Sequence, residues 1–179
     1  MRYLLDGHET ERLQFRLVTL GDRDQWLTFF EDPNSFQYWD MQMDTPEVEC
    51  RKWYDKQLGR YKNDLGGMNA LVEKSTGKLV GHCGLLVQTV DGAPELEIGY
   101  SLLGPFRGKG FATEAAHACR DCAFRNAFAD SLISIVSLAN QPSANVARKN
   151  GMNLDKQTFY NGNAVNIFRI RKSDWLLTH

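Results

Sequence analysis

No stretch of about 18 consecutive apolar residues occurs in this 179-residue chain, so the sequence offers no membrane-spanning helix of ordinary length. The opening residues Met1-Arg2-Tyr3-Leu4-Leu5-Asp6 lack the apolar core of a secretory signal, and a cytoplasmic location is expected. Excess charge is missing too. Lys and Arg number 21 against 22 Asp and Glu, a formal net charge of -1, which gives no general basic footprint for nucleic acid. Any attraction for a polyanion must be local. The four cysteines, Cys50, Cys83, Cys119 and Cys122, do not make a disulfide framework for a chain of this size. Cys119-x-x-Cys122 has no second pair to complete tetrahedral ligation and reads as two small apolar residues of a helix, so no metal is expected. Neither an internal repeat nor a low-complexity linker is present. A single domain over 1–179, large enough to bury a real core, is the simplest organisation.

What is present is concentrated in residues 97–118, EIGYSLLGPFRGKGFATEAAHA, where a strand runs through a basic glycine loop into a helix. Gly108 and Gly110 let the backbone take positive φ and approach a ligand closely. The first N–H groups of a helix beginning near Lys109 have no intrahelical partners, and the helix dipole favours an anion there. Arg107 and Lys109 add charge. Ala112, Ala115, Ala116 and Cys119 form a stripe of small residues on which that helix can lie close to a sheet. The loop is not a Walker motif, because G-x-x-x-x-G-K-[ST] is not met. It is not the dinucleotide fingerprint either, since Thr113 occupies the third glycine position.

The rest of the chain supplies an order of elements. Leu13, Phe15 and Leu17 alternate over 11–18 as a strand, and 22–31 reads as a short amphipathic helix. Thr45-Pro46-Glu47 starts a helix over 46–63, which Gly66-Gly67 is expected to end. Strands joined by 75–78 and by Asp91-Gly92 form an antiparallel meander ending in 94–102, followed by a helix over 109–127 and a strand over 131–138. Pro142 and Gly151 bracket a short helix, and Asn161-Gly162 joins 153–160 to 164–171 as a hairpin before a turn at 173–175. The pattern predicts a mixed α/β (α+β) fold rather than a purely parallel nucleotide fold.

Arg107, Gly110 and Ala112, read as Arg-x-x-Gly-x-Ala after the strand Glu-Ile-Gly-Tyr, resemble the acetyl-CoA signature of the GNAT superfamily of N-acetyltransferases. Three further matches stand in the right order: Thr10-Glu11-Arg12-Leu13, Val80-Gly81-x-x-Gly84, and Asn140-x-x-Ser143 leading to Lys149-Asn150-Gly151-Met152. Within the superfamily the chain is most similar to the ribosomal-protein N-terminal alanine and serine acetyltransferases. The resemblance implies a mostly antiparallel central sheet flanked by helices, in which strands 94–102 and 131–138 run parallel and splay apart around the cofactor.

By that resemblance acetyl-CoA is the co-substrate. Backbone amides of Arg107, Gly108, Lys109, Gly110, Phe111 and Ala112, with Thr113 in the first turn, hold its pyrophosphate. Tyr100, Ser101 and Leu102 pair with the pantetheine arm, Asn140 contacts it, and Ser143 lies near the thiol. Asn140 also has an ordinary explanation as a cap. Glu97 matches the family glutamate that serves as base, with Glu95 on the same face of the strand; a solvated acidic pair on an edge-like strand accounts for the same residues. Where many relatives carry a general-acid tyrosine this chain has Ala147, which leaves Ser143, unassisted departure of the thiolate, or Tyr160 from a later strand. The acceptor wall is expected in 29–44, where Phe36, Tyr38 and Trp39 are aromatic and Asp40 and Asp44 suit an ammonium, unless they form an aromatic mini-core. His82 either faces the cleft or is structural.

The implied partner is a primary amine. An α-amine with a pKa of about 7.7–8.0 is partly neutral at pH 7, whereas a lysine near 10.4 costs roughly 3 kcal/mol more to deprotonate. An N-terminal α-amine is therefore the favoured acceptor, a small-molecule amine the alternative, and a CoA-binding sensor with little catalysis a reading from another class. No nucleic acid or membrane partner is expected, and the chain is expected to be a monomer or homodimer.

Overall fold

A computed structural model of the chain describes residues 2–177. The strands are β1 (Leu13–Arg16), β2 (Gly66–Glu73), β3 (Leu79–Val90), β4 (Ala93–Leu102), β5 (Ser131–Ser137), β6 (Asn153–Tyr160) and β7 (Asn163–Arg171). The helices are α1 (Arg23–Glu31), α2 (Pro46–Lys62), α3 (Phe111–Arg125), α4 (Gln141–Lys149) and α5 (Lys172–Leu176). One seven-stranded sheet runs in the order β1-β2-β3-β4-β5-β7-β6. All neighbours are antiparallel except β4 and β5, which are parallel and meet at a single register pair, Glu97 with Ile133. The mixed, mostly antiparallel sheet with splayed parallel strands is therefore the observed architecture.

Alternation along β4 divides the molecule. Leu96, Ile98 and Leu102 face α3, where they join Ala115, Ala116, Cys119 and Phe124 in the main core. Three members of the small-residue stripe, Ala115, Ala116 and Cys119, are fully buried and Ala112 is half-buried, and the sulfur of Cys119 lies 3.6 Å from that of Cys83 on β3. On the opposite face, α1 and α2 cover the sheet with Trp26, Phe29, Phe30 and Tyr54.

Several boundaries differ from the sequence reading. The helix after the glycine loop begins at Phe111 rather than Lys109, because Gly108 and Gly110 sit at φ 75° and 84° and cannot be α-helical. Gly66 and Gly67 do not end α2 but open β2; a Cβ at Gly66 would stand 2.0 Å from the Leu85 carbonyl oxygen. The first strand keeps only the middle of its predicted span, since Leu17 donates its N–H to Asp6 instead of a ladder partner. Asn161 and Gly162, at φ 48° and 76°, form the expected hairpin turn.

His82 does not face the cleft. It is fully buried on β3, 4.1 Å from the Trp26 ring and 4.5 Å from Trp53 by centroid, and burial lowers its pKa from the ordinary 6.5 to about 3. A histidine that the fold keeps neutral takes up a proton more readily once unfolded. The unfolded chain therefore binds more protons between about pH 3 and 6.5, and stability falls as pH drops through that window. At pH 4 the loss is about 3 kcal/mol, from about 1.36 kcal/mol per unit. His82→Phe is expected to flatten the fall in Tm between pH 7 and pH 4; a fall as steep as the wild type's would place the titration elsewhere.

Candidate active site

The splay leaves one edge of β4 without a strand. Between β4 and β5 the ladder stops at Glu97 and Ile133, and beyond it the Ser134 hydroxyl donates to the Ile98 carbonyl at 2.9 Å. Among the described residues Tyr100, Ser101 and Leu102 pair with a strand only on their β3 side, with Cys83, His82 and Gly81. Their other backbone edge faces the gap without a strand, its Leu102 carbonyl accepting from Arg107 Nε at 3.0 Å.

The glycine loop lies just past the end of β4. The N–H groups of Phe111, Ala112 and Thr113 precede the first i to i-4 bond of α3, from Glu114 to the Gly110 carbonyl at 3.0 Å. A Cβ at Gly108 would meet nothing within 4 Å, so the loop is open on that side. At Gly110 a Cβ would come within 3.3 Å of the Arg12 guanidinium. Arg12, which the sequence reading quoted only as part of a motif, braces the loop: it donates to the Lys109 carbonyl at 2.9 Å, is countered by Glu114 at 2.6 Å and lies over the Phe111 ring. A helix N-terminus and an open glycine suit a phosphate. Arg107 keeps its backbone in this loop, but its guanidinium turns away to Asp32 and Ser35. Its charge is countered rather than offered to the loop.

Ser143, capped by Asn140, meets Tyr100 across the splay. Asn140 caps α4, its side-chain oxygen accepting the Ser143 N–H at 3.1 Å, so the capping explanation is realised and the amide nitrogen remains for other contacts. The Tyr100 hydroxyl donates to the Ser143 carbonyl at 2.8 Å, and burial raises its pKa. Ala147 is buried in the core beneath α4.

Glu97 projects from β4 to the face opposite Tyr100. Its carboxylate accepts from Gln88 Nε2 at 2.7 Å and from the Ile135 N–H. Burial pushes its pKa above the ordinary glutamate value, while the Gln88 hydrogen bond, the charges of Arg60 and Lys56 and the Ile135 N–H oppose the shift. Tyr160 approaches from β6 closely enough for Glu97 to help raise its pKa, after burial. Glu95 is no companion base. It forms a two-point ion pair with Arg169, at 2.7 and 2.9 Å, and β4 is a central strand, so a solvated edge pair is not what the fold contains. Gln88 and Arg60 were missed by the sequence reading, although the alternation of β3 would have put Gln88 across from Glu95 had the hairpin register been fixed.

The residues expected as an acceptor wall are divided. Phe36 belongs to an aromatic mini-core, 5.3 Å from Phe29 and 5.6 Å from Phe30. Trp39 instead packs on the apolar group of Val90, Ile133, Val165 and Ile167, beside Tyr160. Tyr38 is half-buried between them and Asp40 is exposed. Asp40 is tied by its backbone: its N–H donates to Asn163 Oδ1 at 2.7 Å and its carbonyl accepts from Asn163 Nδ2 at 3.2 Å. Asp44 is paired with Lys52, so it is not a free carboxylate waiting for an ammonium.

The sequence profile of the family described as an acetyltransferase (GNAT) domain matches residues 12–153. A protein of Bacillus subtilis, the uncharacterized protein YkkB, is 31% identical over 150 residues, covering 82% of this chain and 85% of the relative. Among solved structures, an acetyltransferase from Agrobacterium tumefaciens superposes with a TM-score of 0.77 at 28% identity, over 92% of this chain and 93% of that one. RimL, a ribosomal L7/L12 alpha-N-protein acetyltransferase in complex with coenzyme A, superposes with a TM-score of 0.72 at 17% identity, over 92% and 97% of the two chains. Among the described residues no group of His, Cys, Asp and Glu is placed to hold a metal ion, and no helix is long and apolar enough to cross a membrane.

Proposed function

Because this chain belongs to the GNAT family of acetyltransferases, we propose that it transfers the acetyl group of acetyl-CoA to a primary amine, with a protein or peptide N-terminal α-amine as acceptor. One observation carries the reading: the unpaired edge of β4 lies between the α3 N-terminus and the part-buried carboxylate of Glu97. When bound, acetyl-CoA supplies an activated acyl carbon and a thiolate leaving group. The N–H groups of Phe111, Ala112 and Thr113, with Gly108 and Gly110, hold the pyrophosphate, and the gap-side edge of Tyr100, Ser101 and Leu102, where Arg107 Nε already holds the Leu102 carbonyl, takes the arm as an added strand. Asn140 presents its amide nitrogen there. Glu97 takes the proton that an ammonium must lose before its nitrogen has a lone pair, and a carboxylate with a raised pKa suits an amine near 7.7–8.0. Ser143, in the first turn of α4, donates a proton toward the departing sulfur. Trp39, Tyr38 and Tyr160 line the acceptor side.

Relative kcat/KM values for peptides with free α-amines, lysine peptides blocked at the N-terminus, polyamines and aminoglycosides test the acceptor. Free α-amines are expected to lead. A polyamine or aminoglycoside at the head of the series would make this a small-molecule acetyltransferase.

Gln88 sets the working range of Glu97. Its hydrogen bond stabilises the carboxylate, and a bond to a charged group is worth about 1.5–3 kcal/mol, or about one to two pKa units. In Gln88→Leu the acidic limb of kcat is therefore expected to move upward by about one pH unit. An unmoved limb would mean that another group controls it.

A further inference from the structure

We propose that Arg107 is a positioning residue for the acceptor wall, and that its side chain is not a phosphate ligand. The proposal rests on the acetyl-transfer reading for what the wall does, and on the fold alone for how the wall is held.

Arg107 follows the end of β4 by five residues and anchors first to that strand, Nε donating to the Leu102 carbonyl at 3.0 Å. Its two terminal nitrogens then reach into the connection between α1 and α2. Nη1 meets Asp32 Oδ2 at 2.8 Å and Nη2 meets Ser35 Oγ at 2.7 Å, with the guanidinium 5.9 Å from the centroid of Phe29. Every nitrogen of the fork has a protein acceptor. Asp32 is itself fixed, since Oδ1 accepts both the backbone N–H and the side-chain amide of Asn34 at 2.9 Å. To turn toward the glycine loop, the guanidinium would have to leave a carboxylate and strand it. That carboxylate is part-buried beside Gly104, where an added Cβ would stand 3.3 Å from Oδ2.

The far end of the same connection is fastened as well. Asp40 exchanges two hydrogen bonds with Asn163, at 2.7 and 3.2 Å, where β7 leaves the hairpin turn. Between these anchors the chain carries Phe36 onto the α1 aromatics and Trp39 onto the β5 and β7 side chains. Residues 32–40 are therefore a strap held at the end of β4 by Arg107 and at β7 by Asn163. Those strands flank β5 in the sheet, so the strap crosses the side of the splay on which Glu97 lies. A strap fixed at both ends keeps its aromatic side chains in one place without a rigid element of its own. Through Arg107, the loop that receives the co-substrate and the strap that faces the acceptor share one side chain.

Arg107→Ala and Asp32→Ala separate the two roles because the rival reading gives them opposite effects. If Arg107 positions the strap, both variants raise the KM of the amine about tenfold and leave the acetyl-CoA Kd within about twofold. If its guanidinium binds phosphate, Arg107→Ala weakens acetyl-CoA binding while Asp32→Ala, which frees the guanidinium, preserves or tightens it; that outcome overturns the proposal. Hydrogen exchange across residues 32–40 gives a readout independent of turnover. Both variants are expected to exchange there at least tenfold faster than the wild type, with β2 and β3 unchanged. Unchanged protection of the strap overturns the proposal even if no amine is turned over. Ser35→Ala, which removes one hydrogen bond and no charge, is expected to give a smaller effect of the same kind and serves if either charge-removing variant fails to fold.

Discussion

Glu97→Gln is expected to lower kcat by about 10²–10⁴-fold, the range over which removal of a positioned base is felt, while the acetyl-CoA Kd stays near the wild-type value. The substitution is close to isosteric. The new side-chain oxygen still accepts from Gln88 Nε2, now 2.7 Å from Glu97 Oε2, although the amide has one acceptor oxygen where the carboxylate has two for Gln88 and the Ile135 N–H, so shape and the Gln88 bond are kept while the proton acceptor is lost. Burial raises the pKa of Glu97, and the effect has a definite sign. Below that pKa the wild-type carboxyl is protonated and resembles the variant, so the two rates converge in acid. The deficit also narrows above about pH 9, by the roughly tenfold that ionisation of an α-amine of pKa 7.7–8.0 costs at pH 7. The deficit is thus largest near neutrality. A rate-against-pH comparison of the two proteins reads this directly, and a deficit independent of pH would assign Glu97 a structural role.

Gly110→Val is expected to act on the other half of the reaction, raising the acetyl-CoA Kd about 10–100-fold with little change in kcat at saturation. Gly110 sits at φ 84° as the residue before α3, a conformation in which a β-branched residue is a strong outlier. Its Cβ would also press to 3.3 Å from the Arg12 guanidinium. The Arg12 tip can give way, but the φ strain shifts the first turn of α3, and the N–H groups of Phe111, Ala112 and Thr113 shift with it. Gly108→Asn is the control. At φ 75° with nothing within 4 Å of an added Cβ, that position accepts asparagine, which tolerates the left-handed region, and a much smaller change in Kd is expected. Isothermal titration of both variants with acetyl-CoA checks the pair; equal losses would mean that strain at Gly110 is not what matters.

The features legible in the sequence were those whose cause is local. Glycines at positive φ before a helix, an Asn-Gly hairpin turn and a proline at the first helical position of α2 each act within a few residues. The splay was legible in a different way, through the resemblance of Arg107, Gly110 and Ala112 to a family signature. What escaped the sequence were the directions of side chains whose partners lie far along the chain. Arg107 meets Asp32 across 75 positions and Asp40 meets Asn163 across 123. No periodicity of either segment encodes such a pairing. His82 shows the same limit, since alternation assigns a face but not whether that face is the cleft or the aromatic cluster under α1. Glu95 and Glu97 stand two residues apart on one face, yet one lies against Arg169 and the other against Gln88. Only the register of the neighbouring strands gives them different chemistry.

The most direct test of acetyl transfer at this splay is release of the CoA thiol from acetyl-CoA, followed with and without a free α-amine peptide, by the wild type and by Glu97→Gln. The wild type is expected to release thiol at a rate that requires the peptide and saturates with it, with one acetyl group gained per thiol at the peptide N-terminus, and Glu97→Gln to bind acetyl-CoA but release little. Tight acetyl-CoA binding by both proteins, with no release from either across peptides, lysine peptides, polyamines and aminoglycosides, would contradict the account and make the fold a CoA-binding module.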